Sequence, residues 1–308
     1  MILTVTANPA IDRVYFVDQF ILGEVHRPQK CSVTAGGKGL NVAKVATMLG
    51  TPACAMGFVG GYNGAYIRRE VERLGIEAAF TEIAEETRIN VNVTDHSGRS
   101  SEILEAGPTV SAEERARFMK DFARTLPRAS VAVASGSLPR GLDADFYCEL
   151  ISLARQSGVR LIVDTSGAAL ERVIHEKPFM IKPNTTELSA LFGTELCDTD
   201  HLKYALRTLA ERGVEIPLLT LGADGAMALI GDRYYKFTPP RVKAINTVGS
   251  GDSTVSGIAV GLDRGMDMIS AIRLGMAAGV ANTQFAATGM VSQELVEKYY
   301  EQIEIEEV

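Results

Sequence analysis

The chain contains no tryptophan, and only four cysteines and four histidines among its 308 residues. The cysteines, Cys31, Cys54, Cys148 and Cys197, stand singly, with no C-x-x-C pair and no dense framework. That spacing excludes a disulfide-stapled scaffold and leads us to expect reduced, buried thiols in a cytoplasmic protein. The histidines form no H-E-x-x-H or similar pattern, which removes the common zinc sites. No apolar run reaches the roughly 18 residues that a membrane-spanning helix requires. The opening "MILTVTANPAID" lacks the basic flank and cleavage site of a signal peptide. Positive charge is in deficit: 31 Lys and Arg against 38 Asp and Glu leave a net charge of −7. Nucleic acids and membranes are therefore not expected as partners.

What is present is an alternation. Short apolar runs at residues 2–7, 53–58, 131–135, 161–164, 179–182 and 217–221 alternate with helical patterns near 38–49, 65–74, 112–126, 145–156, 186–191 and 202–212. Strand–helix alternation predicts an α/β fold of right-handed βαβ units, with a mostly parallel sheet covered on both faces. Ligands of such sheets sit at the carboxyl ends of the strands. Two stretches, about 12–34 and 87–105, break the rhythm and alternate like antiparallel strands, with a turn at Ser97-Gly98. They predict a small β-sheet, serving as an edge extension, a lid or a dimer surface. Another hairpin is expected over 226–237, turning at Gly231-Asp232. No repeat or linker divides the chain, so residues 1–308 read as a single domain carrying that small sheet.

Chemistry concentrates in four segments. "NTVGSGDS", Asn246 to Ser253, precedes a hydrophobic run of helical character. Gly249 and Gly251 let backbone approach a ligand closely, and first-turn amides bind anions. Asp252 is then either a helix cap or a general base beside an anion hole made by Gly249, Ser250, Gly251 and Asp252. "TAGGKGLNVA" places Lys38 among three glycines ahead of Asn41, which is a structural turn or a sugar-phosphate site. "KPNTTE" sets Asn184 and Glu187 three apart, suited to a capping box or to a hydrated Mg²⁺. "TLGADGA" could lie beside a nucleotide. There is no G-x-x-x-x-G-K-[ST] loop and no protein-kinase motif set. G-x-G-x-x-G is also missing after the first strand, which removes a dinucleotide oxidoreductase.

Taken together and in order, Gly36-Gly37-Lys38-Gly39-Leu40-Asn41, Asn184-Thr185-Thr186-Glu187, Thr220-Leu221-Gly222 and Thr247-Val248-Gly249-Ser250-Gly251-Asp252 resemble the PfkB/ribokinase carbohydrate kinases over nearly the whole chain. The resemblance implies a Rossmann-like, three-layer α/β/α ribokinase-like fold with a β lid, often used as a dimer clasp. It implies ATP-dependent phosphorylation of a small sugar, with Asp252 as base. Asn184 and Glu187 would organise Mg²⁺ through water. Lys182, Asn184, Thr220, Gly222, Gly225 and Asn282 would line the ATP site. Asp12, Gly37, Lys38 and Asn41 would hold the sugar, Arg88 its phosphate, and Arg27 would reach the phosphate across a homodimer. Arg140, in "SGSLPRG", is a weaker phosphate candidate or a solvated loop residue. Cations at glycine turns in an acidic chain suggest an anionic substrate, which points to the phosphohexose branch and a ketohexose 1,6-bisphosphate product. Asn246, where many members carry Asp, departs from the family pattern. A sensor that kept the fold and lost catalysis is the other class, and it would have no need of Asp252.

Overall fold

The structure, a computed structural model, describes residues 1–196 and 198–308. Cys197, one of the thiols expected to be buried, lies outside the described residues. The chain begins β1 (Ile2–Thr6), β2 (Ala10–Val17), β3 (Lys30–Gly36), α1 (Lys38–Met48), β4 (Ala53–Val59) and α2 (Gly61–Arg73). It continues through two-residue strands β5 (Glu77–Ala78) and β6 (Thr81–Glu82), then β7 (Ile89–Asp95), β8 (Ser100–Leu104), α3 (Ala112–Thr125), β9 (Val131–Ser135) and α4 (Phe146–Gln156). Next come β10 (Arg160–Asp164), α5 (Gly167–Val173), β11 (Met180–Ile181), α6 (Thr185–Phe192), α7 (Thr199–Glu211) and β12 (Ile216–Thr220). The hairpin β13 (Ala226–Ile230) and β14 (Arg233–Thr238), helices α8 (Ser250–Asp263), α9 (Met268–Asn282) and α10 (Gln293–Gln302), and β15 (Glu304–Glu307) complete it.

One sheet of 11 strands runs β15-β14-β13-β12-β11-β10-β9-β1-β4-β5, with β6 also on β4. From β12 to β5 the pairings are parallel, and β13, β14 and β15 add an antiparallel edge. Successive side chains of a strand face opposite ways, which splits the core in two. Ile2, Ala55, Val133 and Ile162 pack against α1, α2 and α8 to α10, whereas Leu3, Met56, Val163 and Leu219 pack against α3 to α7. Burial on both faces is why β4, "ACAMGFV", reads as an unbroken apolar run. This is the three-layer α/β/α arrangement that the alternation predicts. β11 stops after two residues because Lys182 is followed by Pro183, which has no amide to give a ladder.

A separate sheet of four strands, ordered β3-β2-β7-β8, occupies much of the two stretches that broke the rhythm. Its β2–β3 and β7–β8 pairs are antiparallel, but the central β2–β7 pair is parallel. The β7–β8 turn falls at Ser97-Gly98, where Asp95 accepts hydrogen bonds from the amides of Ser97 and Arg99. Leu22, Val25, Ile103 and Leu104 are exposed in or beside this sheet. Cys31 corrects one expectation: it lies on edge strand β3 and is exposed, while Cys54 and Cys148 are buried. Burial pushes the Cys54 thiol up to about 12 and Cys148 to about 11, so both stay protonated and inert. Among the described residues no helix is long and apolar enough to cross a membrane.

Candidate active site at the carboxyl edge of the sheet

The carboxyl ends of β1, β9, β10, β11 and β12 open along one edge, and α8 begins there, packed against β9 and β10. Gly249 caps α8 in the left-handed region, with φ of 82°, and a Cβ there would lie 2.5 Å from Thr288 Cγ2. Only glycine combines that angle with that approach. No side chain caps this helix. The amide of Ser250 donates to Thr247 O, and Asn246 Oδ1 accepts from Val248. Among the described residues, nothing bonds the amides of Gly249, Gly251 and Asp252. Of the four amides expected to form an anion hole, that of Ser250 is taken by Thr247 O and the other three are unbonded among the described residues.

Asp252 is not the helix cap. Its Oδ2 accepts from Asn41 Nδ2 at 2.8 Å, a buried bond between the first turns of α8 and α1. Ser256, one turn on, donates to Val42 O at 2.8 Å and fixes the two helices together. Burial raises the Asp252 pKa to about 6, with the charge of Asp164 adding to the rise, against lowering by Asn41, Lys38 and Lys182. A carboxylate held near neutrality can accept a proton without losing its charge at rest.

Asp164, at the end of β10, is 2% exposed and lies between two ammonium groups. Lys38 Nζ and Lys182 Nζ each stand 3.4 Å from one of its oxygens. Burial alone would raise this carboxyl; Lys182 and Lys38 overcome it and hold the pKa below the ordinary value. A Cβ on Gly251 would lie 3.3 Å from Lys182 Nζ, so this cation sits beside the bare amides. Lys38 and Lys182 were expected at different ligands, and the structure joins them through Asp164. Sequence reading passed over Asp164 as the last residue of an apolar strand. A lone acid closing such a run ahead of Thr-Ser-Gly was the available signal.

Asp12, on β2, accepts from Asn90 Nδ2 of β7 at 2.9 Å, and burial raises its pKa. Gly36 leaves room for it, since a Cβ there would fall 1.9 Å from Asp12 Oδ2. Gly37 is the N-cap of α1 and brings Lys38 and Asn41 to the same edge. Arg88 precedes β7 and spans the two sheets, donating to Glu105 O at 2.8 Å and Asn8 O at 2.9 Å. Its Nε, Asn8 Oδ1, Asn90 Oδ1, Thr6 Oγ1, Ser135 Oγ and Ser253 Oγ are buried without partners. Buried polar atoms are normally satisfied, which makes these exceptions; Asn8 and Asn90 had escaped sequence reading. Arg27 is elsewhere: it is exposed between β2 and β3 and forms no bond with the described residues. Arg140 is a solvated loop residue, 3.6 Å from Glu85.

Asn184 and Glu187 form a capping box on α6, each side chain accepting from the other's amide at 2.8 and 2.9 Å. The box spends one oxygen of Glu187 and leaves Asn184 exposed. The pair can therefore still meet a hydrated Mg²⁺ through water, an ion that keeps several waters. Among the described residues no group of three or more His, Cys, Asp or Glu forms a metal cage. Thr220 ends β12 beside Asn184, its amide donating to Pro183 O at 3.1 Å, and Gly222 and Gly225 shape the following turn. Asn282, expected in the nucleotide lining, is fully buried. Its Nδ2 donates to Val248 O at 2.9 Å and its Oδ1 accepts from Gly289 N at 2.9 Å. It braces the loop before α8.

Comparison with known proteins places this geometry. Residues 3–294 match the model of the pfkB family carbohydrate kinases. A tagatose-6-phosphate kinase of Staphylococcus epidermidis is 40% identical over 311 residues, covering 100% of both chains. The structure of phosphofructokinase-2 from Escherichia coli in complex with potassium superposes with a TM-score of 0.92 at 30% identity, over 98% of each chain. A protein described as a possible 1-phosphofructokinase from Thermotoga maritima gives 0.90 at 28% identity, over 100% of this chain and 99% of the other. The chain belongs to the pfkB family of carbohydrate kinases.

Proposed function

We propose that the protein transfers the γ-phosphoryl group of ATP to a ketohexose monophosphate, giving the 1,6-bisphosphate, with tagatose 6-phosphate as the preferred acceptor. The observation that carries the reading is Asp252, buried and held near neutrality beside three unbonded amides. Asp252 takes the proton of the sugar hydroxyl as its oxygen attacks phosphorus. The amides of Gly249, Gly251 and Asp252, with the Lys182 ammonium, face the charge that gathers on the transferring group. Asn184 and Glu187 would hold a hydrated Mg²⁺ whose charge offsets that of the ATP phosphates, and Thr220, Gly222 and Gly225 would flank the nucleotide. Asp12 and Asn90 would grip sugar hydroxyls, with Arg88 reaching the sugar phosphate.

The 40% identity to a tagatose-6-phosphate kinase favours the 6-phosphate. Fructose 1-phosphate is the second reading, supported by the Thermotoga maritima neighbour. A ketohexofuranose carries C1 and C6 at opposite ends of one ring, so a clamp at one end and a base at the other suit either. Side-by-side turnover with tagatose 6-phosphate, fructose 6-phosphate and fructose 1-phosphate decides: a higher kcat/KM for the 1-phosphate reverses the ring and replaces our assignment. The unbroken chain 1–308 would work as one kinase domain in the cytoplasm, with the four-stranded sheet as lid.

Four further outcomes are expected. Asp252→Asn should fold normally and lose kcat by about 10²–10⁴-fold, the usual worth of positioned proton transfer; near-normal kcat would remove Asp252 as base. The same variant tests the electrostatics. Folded Asp252 titrates at about 6 against an ordinary 3.8, so the folded chain binds this proton more tightly and its stability falls as pH rises from 3.8 through 6. The Tm advantage of Asp252→Asn over wild type should accordingly be larger at pH 8 than at pH 5. Arg88→Ala should raise KM for the phosphosugar well above any change in KM for ATP, and equal changes would take Arg88 out of the clamp. The apolar residues exposed on the second sheet suggest a homodimer through it, checked by light scattering; a mass of 33.1 kDa in solution would refute the clasp.

A further inference from the structure

Lys44 is a half-buried cation beside the site to which the mechanism gives no task. It lies on α1, one turn after Asn41, with its ammonium donating to Ala35 O at the end of β3. The same ammonium stands 3.5 Å from Asn41 Oδ1. Asn41 in turn donates through Nδ2 to Asp252 at 2.8 Å. An ammonium has donors only, and a carboxylate accepts only. Between them, the side-chain amide of Asn41 has one favourable orientation, oxygen toward Lys44 and nitrogen toward Asp252. Turning it by half a rotation would set N–H against N–H and oxygen against oxygen.

We propose that Lys44 is a positioning residue for phosphoryl transfer: by pinning the Asn41 oxygen, it holds the Asn41 amide as a hydrogen-bond donor to Asp252. Ala35 O anchors the ammonium in turn, so the chain Ala35–Lys44–Asn41–Asp252 joins the end of β3 to the base on α8. The charged groups around Lys44 are Asp12 from β2, Glu70 from α2 and Asp252 from α8. Those around Asp252 are Asp164 from β10, Lys38 from α1 and Lys182 after β11. Lys44 touches no reacting atom in this scheme; it acts through Asn41, with its charge also felt at Asp252.

The inference rests on Asp252 as base, and the test keeps the two separable. Lys44→Met removes the donors but keeps the length of the stem; Lys44→Leu, which also lacks donors, replaces it if the methionine variant does not fold, and Lys44→Arg restores donors. With saturating sugar phosphate and Mg-ATP, Lys44→Met should lower kcat about 10-fold and Lys44→Arg should recover most of it. Asn41 lowers the Asp252 pKa, so loosening it should move the acid limb of kcat/KM to higher pH; titration of the sugar phosphate is common to both enzymes. In the Asn41→Ala background the same Lys44 change should cost less than about twofold, because coupled neighbours are not additive. Full additivity, an unmoved acid limb, or a loss confined to the KM of the sugar through Asp12 would each overturn the relay. If Asp252→Asn retains kcat, the base assignment fails first; if it does not and the cycle is additive, only the role of Lys44 fails.

Discussion

The bond between Asn41 and Asp252 joins the first turns of two helices that come from opposite ends of the chain, 211 residues apart. It is also a partial answer to an electrostatic problem. A carboxylate taken out of water resists ionising, and a second buried carboxylate, Asp164, lies close enough to raise it further. The arrangement resolves the competition unequally. Asp164 receives two ammonium groups and is pinned as an anion, whereas Asp252 receives one neutral amide and keeps a proton affinity close to that of its surroundings. Two acids of the same type thereby acquire different duties from their neighbours alone.

That inequality depends on the layers beneath it. Lys38 and Asn41 share α1, so the cation that pins Asp164 and the amide that meets Asp252 move as one piece. Lys182 follows β11 directly, and Asp164 ends β10, its parallel neighbour. Charges set at the ends of paired strands inherit the rigidity of a sheet packed on both faces. The second sheet enters from the side: Arg88 bonds to Asn8 beyond β1, and Asp12 and Asn90 meet across β2 and β7. Loops carry few of these groups.

Much of this was legible in the sequence, for identifiable reasons. Strands buried on both faces announce themselves as apolar runs, and the glycine segments stood out because backbone must approach backbone or ligand there. Asp252, Lys38 and Asn41 were found because each lies in such a segment, whereas Asp12 came from the family resemblance. Asp164, Asn8 and Asn90 have no local signature; their partners are 126, 98 and 78 residues away, and only the fold makes the pairs. Asn282 entered through the family resemblance, and its bonds to Val248 and Gly289 are visible only in the fold. The parallel β2–β7 pairing was equally hidden, because periodicity of two does not reveal direction.

The two sheets differ in how their margins are guarded. An unpaired strand edge is a template for another chain. The large sheet closes one margin with β5 and β6, too short to template anything, and the other with β15, whose sequence "EIEE" sets three glutamates along it. A second copy approaching that margin would bring like charges together. The small sheet has no such defence on β8, where Ile103 and Leu104 stand in solvent. Sticking is thus discouraged along the catalytic layer and left open along the sheet that carries Asp12 and Asn90, so crowding of this protein on itself would be steered toward one surface.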